Sequence, residues 1–181
     1  MKRILLLLIN CLIAAALQAQ NGHLKFMGIP LNGTINQFQQ KLIAKGVKPY
    51  ADFNELAQGE PIRFFRGNFA GNKALIKIKY NNRTKIVWGA MVVIEYADSK
   101  YADSQKDYYK EKLLSKYPYS KEEKVLKNGI PSIMISVGDN EDLLGFIYLY
   151  TVKESTKVNL ILNYKDFSNT EANEKENLKD L

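Results

Sequence analysis

The sequence predicts an α+β fold: two tandem helix-plus-antiparallel-meander units, with both helices packed on one face of a largely antiparallel sheet. Three observations support this prediction. Residues 61–94 alternate apolar and polar side chains, which is typical of half-buried antiparallel strands. Two other segments have apolar residues at helical spacing and share a sequence pattern. Short apolar runs separated by turn residues follow each of these segments, as expected for meanders.

The chain begins with a segment that is typical of an exported protein. Lys2 and Arg3 precede an apolar stretch that is short for a bilayer span, and small residues follow it. We therefore predict a signal peptide at residues 1–19, cleaved after Ala19, with a cut after Ala16 as the alternative. The mature protein is expected in the periplasm or outside the cell. The sequence predicts no transmembrane segment after the signal peptide is removed.

Cys11 is the only cysteine, and it lies within the predicted signal peptide. The mature chain is therefore expected to have no disulfide and no thiolate site, so its stability must come from a packed core. A lipoprotein would be acylated at Cys11, but Asn10 is unfavourable before an acylated cysteine. Removal of Lys2 and Arg3 lowers the formal net charge from +7 to +5.

Residues 20–167 are predicted to form a single α+β domain, whose repeat units span about 24–96 and 97–167. The length of the mature chain suits one packed core. Residues 168–181 contain few apolar side chains and have little to bury, so we expect a flexible or frayed helical tail.

The first unit is predicted to begin with a strand at residues 24–31 and to continue into a helix after Thr34. Thr34 and Gln37 have the spacing of a capping box, and Gly46 is a typical residue just beyond a helix end. Three strands are expected in residues 61–94. The third of them is apolar on both faces, which indicates a central strand.

The second unit is predicted to begin with a helix from about Ser104 to Lys116. A tandem near-repeat at residues 96–105 offers several caps for it. Residues 109–116 share with residues 38–45 the pattern aromatic, two polar, Lys, Leu, aliphatic, small, Lys. Four strands are expected after this helix, at residues 123–127, 131–137, 144–152 and 157–164.

Several short motifs resemble those of small exported proteins of unknown function from Bacteroidetes-type bacteria. The residues that carry the resemblance are Gln18-Ala19-Gln20, His23 to Phe26, Gly28 to Leu31, Asn32-Gly33-Thr34, Phe38, Leu42, Gly46, Phe64 to Gly71 and Leu113 to Tyr117. The resemblance implies an envelope or secreted protein. The repeated layout is also similar to the β-lactamase-inhibitor-protein fold, a likeness of fold that implies no activity.

The sequence offers little material for catalysis or cofactor binding. His23 is the only histidine and lies close to the predicted mature N-terminus, where we expect a mobile position. We predict no catalytic residues, no metal site and no cofactor. The acidic run at residues 139–142 lacks the alternating order of a calcium loop and is interpreted as a hairpin turn. The export signal and the absence of an RNA-binding aromatic motif argue against a nucleic-acid partner.

Two surface features are candidates for ligand binding. Residues 61–94 contain seven cations and no acid, and clustered cations attract anions. Phe146, Tyr148 and Tyr150 alternate on one strand, and Tyr is favoured at contact surfaces. The alternatives are a solvated lysine-rich face and a strand buried on both sides. The candidate ligand-binding residues are Arg63, Lys73, Lys77, Lys79, Lys85, Tyr148 and Tyr150.

These features suggest a non-catalytic exported binding module that uses an open sheet face to hold a protein or an anionic glycan or lipid of the envelope. Two alternatives remain at this point. One is an envelope hydrolase that uses carboxylates, and the other is a structural or assembly protein that self-associates. The ligand, the oligomeric state and the relation between the basic and aromatic residues are left open by the sequence.

Overall fold

The computed structural model describes residues 22–50, 61–139 and 142–177 of the 181-residue chain. The predicted signal peptide, its cleavage sites and Cys11 lie outside the described residues. So does part of the acidic run at residues 139–142.

The described residues form three helices and ten strands, which confirms the predicted α+β class. In chain order the elements are β1 (Lys25–Phe26), β2 (Ile29–Pro30), α1 (Ile35–Ala44), β3 (Lys48–Pro49), β4 (Ile62–Phe69), β5 (Asn72–Tyr80), β6 (Val87–Tyr96), α2 (Ser99–Lys116), β7 (Lys121–Lys127), β8 (Ile130–Asp139), β9 (Asp142–Glu154), β10 (Lys157–Asp166) and α3 (Phe167–Asn177).

Eight strands form one large sheet in the order β3-β4-β5-β6-β10-β9-β8-β7, and all neighbouring pairs are antiparallel. The strands β6 and β10 lie side by side in the middle of the sheet. β6 has a neighbouring strand on both sides, which agrees with the central position that its apolar residues predict.

The start of α1 agrees with the predicted capping box. The Gln37 backbone N–H donates to Thr34 Oγ1 at 3.4 Å, and the Thr34 backbone N–H donates to Gln37 Oε1 at 3.0 Å. Two backbone donors that the first turn would leave unpaired are thereby satisfied. Gly46 follows the helix with a φ of +81°, a conformation that favours glycine.

Two element boundaries differ from the sequence prediction. The helix α2 begins at Ser99 rather than near Ser104, because the Asp98 carboxylate caps it by accepting from the Tyr101 N–H at 2.7 Å. Residues 24–31 form the hairpin β1–β2 instead of one strand. Met27 and Gly28 make its turn with φ values of +50° and +77°, as a tight two-residue turn requires.

One face of the sheet belongs to the hydrophobic core. The register aligns Ile76, Val92, Leu162 and Leu149 in a row across four strands, and all four side chains are fully buried. Phe38 and Leu42 of α1 and Tyr109 of α2 are part of the same core. We call the side of the sheet that contains this row the core face.

Of the residues predicted as a tail, 168–177 belong to α3, which follows β10 directly, and 178–181 lie outside the described residues. The Asn169 side chain donates to the Leu31 carbonyl at 2.7 Å and to the Val87 carbonyl at 3.1 Å, and the Asn81 side chain donates to Asn173 Oδ1 at 2.6 Å. These bonds join α3 to the end of the sheet where β6 begins. Among the described helices, none has the length and apolar content needed to cross a membrane.

Candidate ligand-binding face

The alternation of side chains along the strands creates a second face, opposite the core face. We call it the open face. On the four central strands it includes Lys73, Leu75, Lys77 and Lys79 of β5, Gly89, Met91 and Val93 of β6, Ile161, Asn163 and Lys165 of β10, and Phe146, Tyr148 and Tyr150 of β9. Many of these side chains are half-buried, and the fully buried row of the core face has no counterpart here.

Basic and aromatic side chains share the open face. One row of register partners across the four strands contains Lys77, Met91, Asn163 and Tyr148. The next row contains Lys79, Gly89, Lys165 and Phe146. The structure therefore joins the two surface features that the sequence could only describe separately.

The ammonium group of Lys127 lies over the aromatic ring of Tyr148, with Nζ 3.5 Å from the ring centroid. Lys127 ends β7, near the far edge of the sheet, and its side chain reaches the open face. Burial, together with the positive charges of Lys165 and Lys79, lowers the pKa of Lys127 to about 8, against the attraction of the ring. The three lysines are thus close enough to repel one another.

Two further lysines of the open face contact aromatic rings. Lys77 Nζ lies 5.4 Å from the Phe64 ring centroid, and Lys79 Nζ lies 5.5 Å from that of Trp88. Trp88 occupies the point where the β5–β6 register shifts beside Lys79. An aromatic face attracts a cation but leaves its charge in place, so these contacts hold the ammonium groups without neutralising them.

Ion pairs do not balance this charge within the described residues. Lys77, Lys127 and Lys165 form no ion pair there. By contrast, Lys106 and Lys110 of α2 and Lys157 at the start of β10 each contact a carboxylate at 2.7 to 3.7 Å. Lys127 and Lys165, which lie near Tyr148, are therefore cations without an ion pair in this part of the chain.

Asn163 lies in the middle of the open face, between Met91 and Tyr148. Its exposed fraction is only 2%, and its Oδ1 atom is buried without a hydrogen-bond partner among the described residues. A buried polar atom in this state is destabilising by about 1–3 kcal/mol. Such an atom is expected where a ligand or a water molecule supplies the missing donor.

The helix α3 forms a wall at one end of the open face. Phe167 packs edge-on against Phe146, with ring centroids 6.4 Å apart. A cavity of about 250 Å³ lies between the helix and the sheet. Phe146, Tyr148 and Lys165 line it from the sheet, and Glu171 and Glu174 line it from α3.

The other predicted site residues divide into two groups. Lys73 and Tyr150 lie on the open face, with Lys73 exposed and Tyr150 only 8% exposed. Arg63 and Lys85 do not lie on the open face. Arg63 pairs in register with the core residue Ile78 and donates to Asn36 Oδ1 and Gln39 Oε1 of α1. Lys85 lies in the loop before β6, where it donates to Asn82.

His23 is held in place, in contrast to the mobile position that the sequence predicts. Its Nδ1 atom lies 3.1 Å from both carboxylate oxygens of Asp166, a residue that is fully buried. The backbone N–H groups of Leu24 and Asn169 also donate to this carboxylate. The hydrogen bond from His23 to Asp166 raises the pKa of the imidazole. This geometry ties the beginning of the described chain to the start of α3.

Sequence reasoning missed Lys127, Lys165, Trp88 and Asn163 as candidates. Lys165 and Asn163 do share the two-residue spacing of β10, so the alternation of that strand could have indicated them. Nothing in the sequence predicts which strand lies next to β10, however. In the described part of the chain, no group of three His, Cys, Asp or Glu side chains is placed to hold a metal ion.

The chain matches no protein-family model, and no curated protein or solved structure shows significant similarity to it.

Proposed function

We propose that the protein is a non-catalytic exported binding module whose open face holds an anionic ligand. The observation that carries this proposal is the gathering of Lys77, Lys79, Lys127 and Lys165 around Tyr148 and Asn163. Of these, Lys77, Lys127 and Lys165 form no ion pair within the described residues, and like charges that are brought together in this way lower stability. Such an arrangement is more common at functional sites than elsewhere on a surface.

A bound anion would relieve two destabilising features of this arrangement. These are the repulsion between the lysines and the buried Oδ1 atom of Asn163, which has no partner among the described residues. Its negative charge would offset the mutual repulsion of the lysines, which is strongest for the half-buried Lys127. A hydroxyl or other donor of the same ligand could reach Oδ1 of Asn163, which has no partner among the described residues. The aromatic rings beneath the lysines supply apolar contact area at a low cost in side-chain entropy.

Export, the tandem layout and the family resemblance are part of the same proposal. The order of the strands supports two units, because β4, β5 and β6 approach the centre of the sheet from one edge and β7 to β10 approach it from the other. The hydrogen bonds of Arg63 to α1 and of Thr151 to Asp103 of α2 support helices on a common face. The predicted signal peptide supports an envelope or secreted location, as does the resemblance to small exported Bacteroidetes-type proteins.

The test measures binding of the purified protein to dextran sulfate, with uncharged dextran as the ligand control. Changing Lys77, Lys127 and Lys165 together to Gln should weaken binding about a hundredfold, at about 1 kcal/mol for each lysine near an anionic surface. Added salt should also weaken binding, because it screens exposed charges.

A matched variant removes three cations from elsewhere, with Lys41, Lys45 and Lys100 changed to Gln. These residues are exposed on or beside α1 and α2, so this variant should bind like the unchanged protein. The proposal fails if both variants lose the same affinity, since only net charge would then matter. It also fails if the open-face variant binds normally while its melting temperature is retained.

A further inference from the structure

A third row of side chains on the open face is apolar. Leu75 of β5, Val93 of β6 and Ile161 of β10 are direct register partners, and Ile161 pairs in turn with Tyr150 of β9. Leu75, Val93 and Ile161 remain partly exposed to solvent. With neighbouring strands about 4.8 Å apart, the row is about 14 Å long.

This apolar row lies directly beside the cationic rows. The adjacent row on the same face contains Lys77, Met91, Asn163 and Tyr148. Each of these residues is two positions along its strand from a member of the apolar row. Lys79 and Lys165 lie one row farther on, and Lys165 lines the cavity beside α3. In the direction of α3 the open face therefore changes from apolar to cationic within about two rows, a distance of about 14 Å along the strands.

A surface of this kind matches a molecule that is apolar at one end and anionic at the other. A simple polyanion would contact the lysines and leave the partly exposed aliphatic row in water. The row is also narrow, since one residue from each strand forms it. This shape suits an extended alkyl chain lying across the strands better than a broad apolar protein surface.

We propose that the open face binds a single anionic amphiphile, with its alkyl chain along Leu75, Val93 and Ile161 and its acidic headgroup among Lys77, Lys127 and Lys165. This inference rests on the proposed function and specifies the chemical class of its ligand. A headgroup hydroxyl or amide could donate to Asn163 Oδ1. A phosphate ester or a carboxylate would supply the negative charge.

The experiment compares dodecyl phosphate, kept below the concentration at which it forms micelles, with butyl phosphate. Trp88 is the only tryptophan in the chain and contacts Lys79, so its fluorescence reports on the open face. Dodecyl phosphate should bind about tenfold or more tightly than butyl phosphate, because each additional methylene that is buried favours binding. Dodecyl maltoside, which lacks the charge, should bind weakly.

Two variants test where the alkyl chain of the ligand lies on the open face. Changing Val93 and Ile161 together to Thr keeps β-branched residues in the strands and should remove most of the preference for the longer chain. Ile43→Thr alters an aliphatic residue of α1 that is 41% exposed and should leave the preference unchanged. Melting temperatures establish that each variant is folded.

The possible results separate this inference from the proposed function. Equal affinity for the two phosphates, with dextran sulfate binding intact, overturns the amphiphile and leaves the anion site. Binding to phosphatidylglycerol vesicles without binding of monomeric dodecyl phosphate also overturns it, in favour of a membrane surface. If dextran sulfate and both phosphates fail to bind, the proposed function and this inference both fall.

Discussion

The two faces of the large sheet are built from the same strands but differ in how their side chains are satisfied. On β10, Leu162 of the core face is fully buried, while the adjacent Ile161 of the open face is partly exposed. The core cluster to which the core face belongs also contains side chains of α1, α2 and the β1–β2 hairpin. The open face retains exposed apolar area beside its lysines. The core face is organised for stability, and the open face keeps features that a ligand could use.

The charged groups of the two faces show the same contrast. Asp166, which continues the core side of β10, is fully buried and receives hydrogen bonds from His23, Leu24 and Asn169. Lys127 on the other side has an aromatic ring beneath it and two like charges nearby. A buried charge with several donors can stabilise a fold, whereas clustered like charges oppose it.

The largest expected difference between the faces concerns their aliphatic residues. Leu162→Ala should lower the free energy of unfolding by about 3 kcal/mol, because it leaves a cavity in a packed core. Ile161→Ala should lower it by about 1 kcal/mol or less, because that side chain is already partly in water. Urea denaturation measures both values. Equal losses would indicate that the open face is covered in the folded protein.

A smaller effect is expected at the buried carboxylate. Asp166→Asn should lower the free energy of unfolding by about 2 kcal/mol. The reason is that Oδ1 accepts from Asn169 and Oδ2 accepts from Leu24, and an amide can accept at only one of these positions. The matched control is Asp103→Asn, whose carboxylate is 54% exposed and pairs with Lys106. Asp103→Asn should lower the free energy of unfolding by less than about 1 kcal/mol. A similar loss in both variants would contradict a special role for the Asp166 contacts.

The smallest effect concerns the charge of Lys127. Its ammonium group is charged below its pKa of about 8 and becomes neutral above it. Affinity for dextran sulfate should therefore fall about fivefold between pH 7 and pH 9, the equivalent of one lysine charge near an anionic surface. Lys127→Arg should abolish this decrease, because a guanidinium group stays charged throughout that range. If the affinity of the Lys127→Arg variant still falls between pH 7 and pH 9, the decrease comes from another titratable group.

The pH dependence of the folding stability provides a second test of the lowered pKa of Lys127. Lys127 has an ordinary lysine pKa of 10.5 in the unfolded chain and a lower one in the fold. Between these two values the unfolded state binds more protons, so the contribution of Lys127 to folding stability should rise with pH over that interval. The Lys127→Arg variant should lack this rise.

The local features of the sequence predicted much of the secondary structure. The capping box at Thr34 and Gln37 fixed the start of α1, because the required hydrogen bonds join residues that are three apart. Other boundaries depended on choices that the sequence leaves open. Asp98 rather than a residue near Ser104 caps α2. Nothing marked Met27 as a residue with positive φ, so the β1–β2 hairpin could not be anticipated.

The candidate site was predictable only in part, because a face of a sheet combines residues from distant parts of the chain. Lys77, Lys79 and Tyr148 could be named from their strand patterns. Arg63 is a ligand-binding candidate because it belongs to the acid-free run of cations, and the sequence leaves open which face of β4 it occupies. Strand pairing resolves that ambiguity by aligning Arg63 with Ile78 of the core face.

The sequence by itself determined the α+β class, the capped helix α1 and the acid-free run of cations, because each depends on residues that are close together in the chain. Only the tertiary structure decided that β10 pairs with β6 and β9. That pairing places Asn163 between Met91 and Tyr148 and Lys165 between Gly89 and Phe146, beside the Tyr148 ring that Lys127 contacts. The physical reason is that strand register depends on contacts between distant segments, while a helix cap depends on one turn of backbone.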